Sequence, residues 1–183
     1  MRANRRPGAA PVLAILLIAI GAVDAVAEGA NAHQLQCATA AVIHALHDAP
    51  ARKDGLNRFI IVSLGQGQRY VQCRFIDGDM GALCEASSGA YGPTGVNRMV
   101  LTAKQRGALS KLGFVREAGS KNYVREFSMA SRADIEGLGF FMVQTLMGVY
   151  GLGRAEKFIV QSSLDSRAAI SQTCPQALQF LAD

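Results

Sequence analysis

Four cysteines are the residues of this chain whose chemistry is most definite: Cys37, Cys73, Cys84 and Cys174. An even number of cysteines in an exported chain predicts two disulfides, and four cysteines allow three pairings. The chain has no C-x-x-C spacing. This absence argues against a thioredoxin-like active site and against a cysteine-rich zinc site.

A predicted β-hairpin favours one of the three pairings. The segments 69–76 and 80–87 flank Asp77-Gly78-Asp79, which is a turn signal. If the turn is Gly78-Asp79, Cys73 lies directly opposite Cys84, because both are equally far from that turn. A turn at Asp77-Gly78 would break this register. We therefore predict a Cys73–Cys84 disulfide and, by elimination, a Cys37–Cys174 disulfide. The alternative is that Cys73 and Cys84 are reduced residues of the core.

Three polar residues of the first predicted helix have a spacing that metal sites use. His44, His47 and Asp48 lie at i, i+3 and i+4, and His33 is a potential fourth ligand. However, His44 points away from the apolar side of the helix that contains Val42. The residues therefore fit a solvent-facing helix surface, and we predict neither a metal nor another cofactor.

Other candidate catalytic groups also have structural explanations. Glu85 and Glu126 lie on predicted strands with outward-facing polar neighbours, which favours a solvated sheet face over an acid–base pair. The segment 92–95 lacks the Lys-Ser/Thr that completes a phosphate-binding P-loop, although such a loop can still be a binding surface. No Gly-x-Ser-x-Gly elbow is present, and we predict that the chain is not an enzyme.

Arg125 shares one side of a predicted strand with two aromatic residues, Tyr123 and Phe127. We expect a half-buried arginine stacked on aromatic rings that stabilises the fold. A role in a partner-binding face is the alternative.

The N-terminus has the three parts of a secretory signal. Arg2, Arg5 and Arg6 precede an apolar run, and small residues end at Ala27. We predict cleavage after Ala27, or else after Ala32, and a periplasmic or secreted product without a stable membrane span. A retained transmembrane anchor is the alternative, but the 16 mostly apolar residues of 8–23 fall short of the roughly 20 that a spanning helix needs.

Composition excludes some classes of protein. Hydrophobic residues make up 50% of the chain and charged residues 18%, which excludes a disordered chain. The chain has no Trp and 7% aromatic residues, which argues against a nucleic-acid stacking surface. Removal of residues 1–27 leaves 16 basic and 13 acidic residues, a net charge of +3. The basic residues are scattered along the sequence, so we predict no nucleic-acid partner.

Hydrophobic periodicity predicts an α+β domain in the order α-β-β-β-α-β-α-α, with helices on an antiparallel sheet. The sheet is expected to be a three-strand meander plus a fourth strand. The predicted elements are a helix at 34–48, strands at 59–64, 69–76 and 80–87, a helix at 103–112 with Thr102 as N-cap and Gly113 at its end, a strand at 122–127, an unusually apolar helix at 135–150 capped by Asp134, and a helical region at 166–181. Residues 154–164 are ambiguous, and Pro175 either kinks the last helix or starts a new one.

Several stretches in order resemble the type III secretion chaperone-like (Tir-chaperone-like) domain over residues 57–152. They are 59–64, 70–72, 83–86, Leu101 with Gln105 and Leu109, 112–114, 122–127 and 149–151. The resemblance implies a twisted antiparallel sheet with flanking helices, frequent dimers, and binding of other proteins without catalysis. Secretion chaperones are cytoplasmic and acidic, whereas this chain has a signal-like N-terminus, cysteines and a basic balance. The fold therefore carries over better than the chaperone role.

These observations predict four segments: a signal peptide at 1–27, an N-terminal helix region at 28–56, the chaperone-like domain at 57–152, and a helical extension at 153–183 that packs on it. The predicted function is that of an exported, non-catalytic, chaperone-like module of the bacterial cell envelope. It would bind another protein or itself as a homodimer. The alternatives are an envelope hydrolase with an unread site and a module that binds a small ligand or a metal.

Overall fold

The structure is a computed structural model that describes residues 32–49, 58–65, 68–151 and 157–181. The predicted signal peptide lies outside these residues. In the described ranges, no helix has both the length and the apolar character needed to cross a membrane.

Three consecutive strands form the predicted meander: β1 (Phe59–Leu64), β2 (Arg69–Ile76) and β3 (Gly81–Ala86). Each strand alternates buried and more exposed residues over most of its length, as expected for a sheet with one packed face. The turn between β2 and β3 is a single 3-10 turn, Asp77–Asp79. All three of its residues have positive φ, between 53° and 72°. Asp and Gly adopt this conformation more readily than most residues do.

Two further strands complete an antiparallel sheet of five strands in the order β4-β3-β2-β1-β5. β4 (Tyr123–Ser128) pairs with β3, and β5 (Phe158–Ser162) pairs with β1. The prediction of four strands was therefore wrong in number and order, and the observed order is α-β-β-β-α-β-α-β-α. The missing strand lies in the ambiguous stretch 154–164, whose partner β1 is far away in the sequence, so no local turn signal indicated the pairing.

Three of the described helices begin at an N-cap whose side chain accepts a backbone hydrogen bond, namely α2 (Ala103–Lys111), α3 (Arg132–Thr145) and α4 (Ser166–Thr173). α1 covers residues 32–48. Thr102 caps α2 in a reciprocal capping box with Gln105, which confirms the predicted N-cap. The predicted cap of α3 was wrong: Ser131 is the N-cap, and Asp134 is its partner three residues later.

The apolar helix predicted to reach residue 150 changes its hydrogen bonding before that point. α3 continues into a π-helical turn, Leu146–Tyr150, which ends at Gly151 with φ 75°. Pro175 starts a separate 3-10 turn, Pro175–Phe180, which is the second of the two predicted alternatives.

The described helices pack on the same side of the sheet, which we call the closed face. The α3 residue Phe141 contacts Phe127 of β4 at 4.4 Å between ring centroids, and Phe180 stacks on Phe158 of β5 at 6.2 Å. α1 packs on α3 where Gly139 lies close to the Ala40 backbone. The side chains that line the closed face include Ile60, Val62, Val71, Cys73, Cys84, Ala86, Arg125 and Phe127.

The opposite side, which we call the open face, has side chains that are more exposed, apart from Ser63 and Val124, which are buried. Its residues are Phe59, Ile61, Ser63, Tyr70, Gln72, Arg74, Leu83, Glu85, Val124, Glu126, Ile159 and Gln161. Alternation along each strand thus places one set of side chains in a core covered by helices and the other set on a surface of mixed apolar and charged residues.

Candidate functional site

The structure joins both cysteine pairs that the sequence predicts. Cys73 and Cys84 are direct partners in the β2–β3 register and form a disulfide with a Cα–Cα distance of 4.0 Å. Cys37 of α1 and Cys174 at the end of α4 form the second, with a Cα–Cα distance of 6.0 Å. Two disulfides fit an oxidising environment of the kind that exported proteins meet.

The α1 residues with the spacing of metal ligands make separate contacts instead of forming one cluster. His47 Nδ1 lies 3.4 Å from Asp48 Oδ1, and His44 Nε2 lies 4.0 Å from Glu136 Oε1 on α3. His33 is exposed near the start of the helix. Among the residues that the structure describes, no group of three or more His, Cys, Asp or Glu side chains is arranged to hold a metal ion.

His44, His47 and Asp48 instead line a groove of about 580 Å³ between α1, the N-terminus of α3 and the end of α4. Alanines of α1 and the Cys37–Cys174 disulfide form part of its wall. The groove therefore combines small apolar side chains with polar groups at its rim, without a converging set of catalytic groups.

Arg125 has the half-buried, ring-stacked environment that the sequence predicts. Its guanidinium carbon lies 4.3 Å from the centroid of the Phe127 ring and 4.6 Å from that of Phe141. It also donates a hydrogen bond to the carbonyl of Leu112 at the end of α2. The second ring was predicted to be Tyr123, but it comes from α3, which covers the strand.

Gly113 makes room for this arginine. It ends α2 with φ 81°, and a Cβ at this position would lie 3.3 Å from Nη1 of Arg125. The glycine that the sequence marks as a helix end thus also permits the close approach of the guanidinium to the helix C-terminus.

Arg58 is a second buried arginine, and the sequence reasoning missed it. It is 8% exposed and pairs with Asp79 Oδ2 at 2.6 Å. It also donates hydrogen bonds to the carbonyls of Leu46 and Ala49 at the C-terminus of α1. These contacts join the β2–β3 turn to α1. The only sequence signal for Arg58 is that it directly precedes an apolar strand, and this position does not indicate its partners, which lie far away in the chain.

The open face carries a hydrogen-bonded polar cluster at one end. Asn122 is buried and donates from Nδ2 to the Tyr70 hydroxyl at 2.8 Å and to Glu85 Oε2 at 3.0 Å. Gln72 Nε2 donates to the same carboxylate oxygen at 3.1 Å. Burial and the nearby Glu85 carboxylate raise the pKa of Tyr70 above its ordinary value, so the phenol stays protonated near neutral pH.

Tyr150 is the second tyrosine with a displaced pKa. Burial raises the pKa of its phenol above the ordinary value, and the hydroxyl donates to the carbonyl of Ser87 at 2.6 Å. This bond joins the π-helical turn to the end of β3. The group therefore acts as a buried hydrogen-bond donor rather than as an acid or base at neutral pH.

The other end of the open face alternates apolar and charged side chains. The successive pairings of β1 with β2, β2 with β3 and β3 with β4 align one row across the sheet, namely Phe59, Arg74, Leu83 and Glu126. A shallow depression of about 240 Å³ lies between Phe59, Gln72, Arg74, Leu83 and Glu85. Glu85 and Glu126 lie on the face that the sequence predicts for them, as parts of this mixed surface.

No family model, no curated protein and no solved structure matches this chain.

Proposed function

We propose that this chain is an exported, disulfide-stabilised module that binds another protein through the open face of its sheet. The observation that supports this most directly is the row Phe59, Arg74, Leu83 and Glu126 beside the shallow depression. Phe59 is 36% exposed, although a phenylalanine on a strand usually gains free energy from burial. A partner that covers this row would supply that burial.

The mixed character of the row favours a specific protein partner. Arg74 and Glu126 are exposed and lie on either side of Leu83, so a partner must offer apolar contact and complementary charges at fixed positions. The depression is shallow and lined by side chains of three strands, which suits a protruding side chain of a partner better than an enclosed small molecule.

The resemblance to the secretion chaperone-like domain supports the same function, because that family binds proteins without catalysis. The two disulfides support an exported location, for which we propose the periplasm or the extracellular space. The predicted signal peptide supports the same compartment.

The test is co-purification from the native cell envelope under non-reducing conditions, followed by mass spectrometry. A double variant, Phe59→Ser with Leu83→Ser, removes the apolar part of the row. Phe140→Ser is the matched control, because Phe140 is 51% exposed on α3, away from the sheet. We expect one discrete protein to co-purify with the wild type and with the control and to be lost with the double variant.

Light scattering on the same three proteins separates a foreign partner from a second copy. A dimer that the double variant dissociates would identify the occupant as a second copy and would contradict the proposal of a different partner. Equal co-purification by the double variant and the wild type, with both folded, would overturn the role of the open face.

A further inference from the structure

The positive charge of the protein is concentrated in one region, residues 88–123, which we call the basic edge. It contains six basic residues, namely Arg98, Lys104, Arg106, Lys111, Arg116 and Lys121, and one acidic residue, Glu117, a net charge of +5. The other described residues contain seven basic and eight acidic side chains, a net charge of −1. No two of these six residues are adjacent in the sequence, yet together they make the charge of the described residues strongly asymmetric along the chain.

The three arginines of the basic edge line one pocket. Arg98, Arg106 and Arg116 line a space of about 340 Å³ whose other walls include Met99, Val100 and Tyr123. Arg106 donates to the Leu101 carbonyl, and none of the three forms an ion pair with a carboxylate of the described residues. The pocket therefore offers uncompensated guanidinium groups, which suit a phosphate group.

The basic edge also carries exposed apolar side chains. Of the seven large hydrophobic residues that are exposed among the described residues, four belong to it: Tyr91, Val96, Val100 and Val115. Val96 is 101% exposed and Val100 is 75% exposed. Single exposed apolar residues are common on protein surfaces, but here most of them coincide with the region of highest positive charge.

The loop that presents the two valines is held by specific contacts. The side chain of Gln68 donates to the Asn97 carbonyl at 2.9 Å and accepts from the Met99 amide at 2.7 Å. At Gly89, a Cβ would lie 2.0 Å from the Met99 carbonyl oxygen, so the two arms of the loop touch backbone to backbone. These contacts thus hold Val96 and Val100 in their exposed positions.

We propose that the basic edge docks the protein on an anionic phospholipid surface. The arginines and lysines contact lipid phosphates, one headgroup phosphate enters the arginine-lined pocket, and Val96, Val100 and Tyr91 enter the layer between headgroups and acyl chains. This peripheral mode needs both features of the edge, because charge attracts the protein to the surface and apolar side chains gain free energy by burial there. A nucleic acid would engage the charges and leave both valines in water.

The experiment measures partition of the full chain onto vesicles by co-sedimentation. One set contains equal parts of phosphatidylglycerol and phosphatidylcholine, and the other contains phosphatidylcholine alone. The charge variant is Arg98→Gln with Arg116→Gln. Its control is Arg132→Gln with Lys157→Gln, which removes the same charge from exposed positions outside the basic edge and outside the open-face row. Any contribution of the N-terminal apolar run is common to all variants, so the ratio of variant to wild type isolates the basic edge.

We expect the charge variant to lower partition onto anionic vesicles about fivefold per arginine removed, thus about twenty-five-fold for the pair. Val96→Ser with Val100→Ser should lower it about tenfold, because two apolar side chains no longer enter the lipid. Added salt should weaken the wild type more than the charge variant, since screening acts on the charges that the variant has lost.

Three results would overturn the proposal. The first is equal partition of the wild type onto anionic and neutral vesicles. The second is a loss in the Arg132/Lys157 control as large as that in the charge variant. The third is tight binding of inorganic phosphate, DNA or polyglutamate that the Val96/Val100 variant retains in full, which would identify a soluble phosphate or an acidic polymer as the ligand.

Discussion

On the closed face, Arg58 and Arg125 are surrounded by acceptors and rings, whereas on the basic edge Arg98 and Arg116 have no carboxylate partner among the described residues. Arg58 bonds to a carboxylate and to helix carbonyls, and Arg125 bonds to a helix carbonyl between two phenylalanines. The same residue type thus joins elements in one region and is presented to solvent in the other.

The difference shows how to separate residues that stabilise this fold from residues available for binding. A buried guanidinium with its hydrogen bonds satisfied contributes to the free energy of unfolding, and its removal leaves unpaired acceptors. An exposed guanidinium without an ion pair contributes little to stability. Substitutions of arginine should therefore have large effects on the closed face and small effects on the basic edge.

The largest effect is expected for the disulfide that joins α1 to the end of α4 on the closed face. Cys37→Ser with Cys174→Ser opens a loop with a sequence separation of 137, whereas Cys73→Ser with Cys84→Ser opens one of 11. The chain-entropy model predicts losses in the free energy of unfolding of about 5 and about 3 kcal/mol, respectively. Urea unfolding of both double variants measures the two losses.

A larger loss from the Cys73/Cys84 variant would contradict this order. It would mean that packing at the centre of the sheet, where both of these cysteines are fully buried, outweighs the effect of loop length.

Arg125→Met is the direct test of the contrast between the two groups of arginines. Methionine keeps an apolar side chain between Phe127 and Phe141 but loses the charge and the hydrogen bond to Leu112. We expect a loss of about 3 kcal/mol in the free energy of unfolding. Arg98→Met is the control on the basic edge and should cost less than about 0.5 kcal/mol, because its guanidinium is exposed. Similar losses in stability for both variants would contradict the proposed difference between buried and exposed arginines.

Gly89→Ala tests whether the loop of the basic edge is built rigidly. A Cβ at Gly89 would lie 2.0 Å from the Met99 carbonyl oxygen, while Gly95 has a similar φ of 76° and nothing within 4 Å. Both substitutions strain the backbone, which costs about 1 kcal/mol, but only Gly89→Ala also forces the loop apart. We expect thermal melting to show a loss about 2 kcal/mol larger for Gly89→Ala. Equal losses would show that the loop adjusts freely.

Local sequence signals predicted much of the fold. The strands of the meander, the Thr102 cap and the alignment of Cys73 with Cys84 depend on residues close together in the chain, where periodicity and turn chemistry act directly. The cap of α3 was misplaced by three residues, because Ser131 and Asp134 are both good caps and only their reciprocal hydrogen bonds show which one begins the helix.

The sequence by itself determined the α+β class, the pairing of cysteines across one hairpin, and the ring-stacked environment expected for Arg125. The tertiary structure alone decided that β5 joins the edge of the sheet, that Phe141 supplies the second ring, that Arg58 joins a turn to α1, and that three arginines meet around one pocket. The physical reason is chain distance. Short-range hydrogen bonds and periodic burial are encoded in neighbouring residues, while these contacts join segments that approach each other only when the whole core packs.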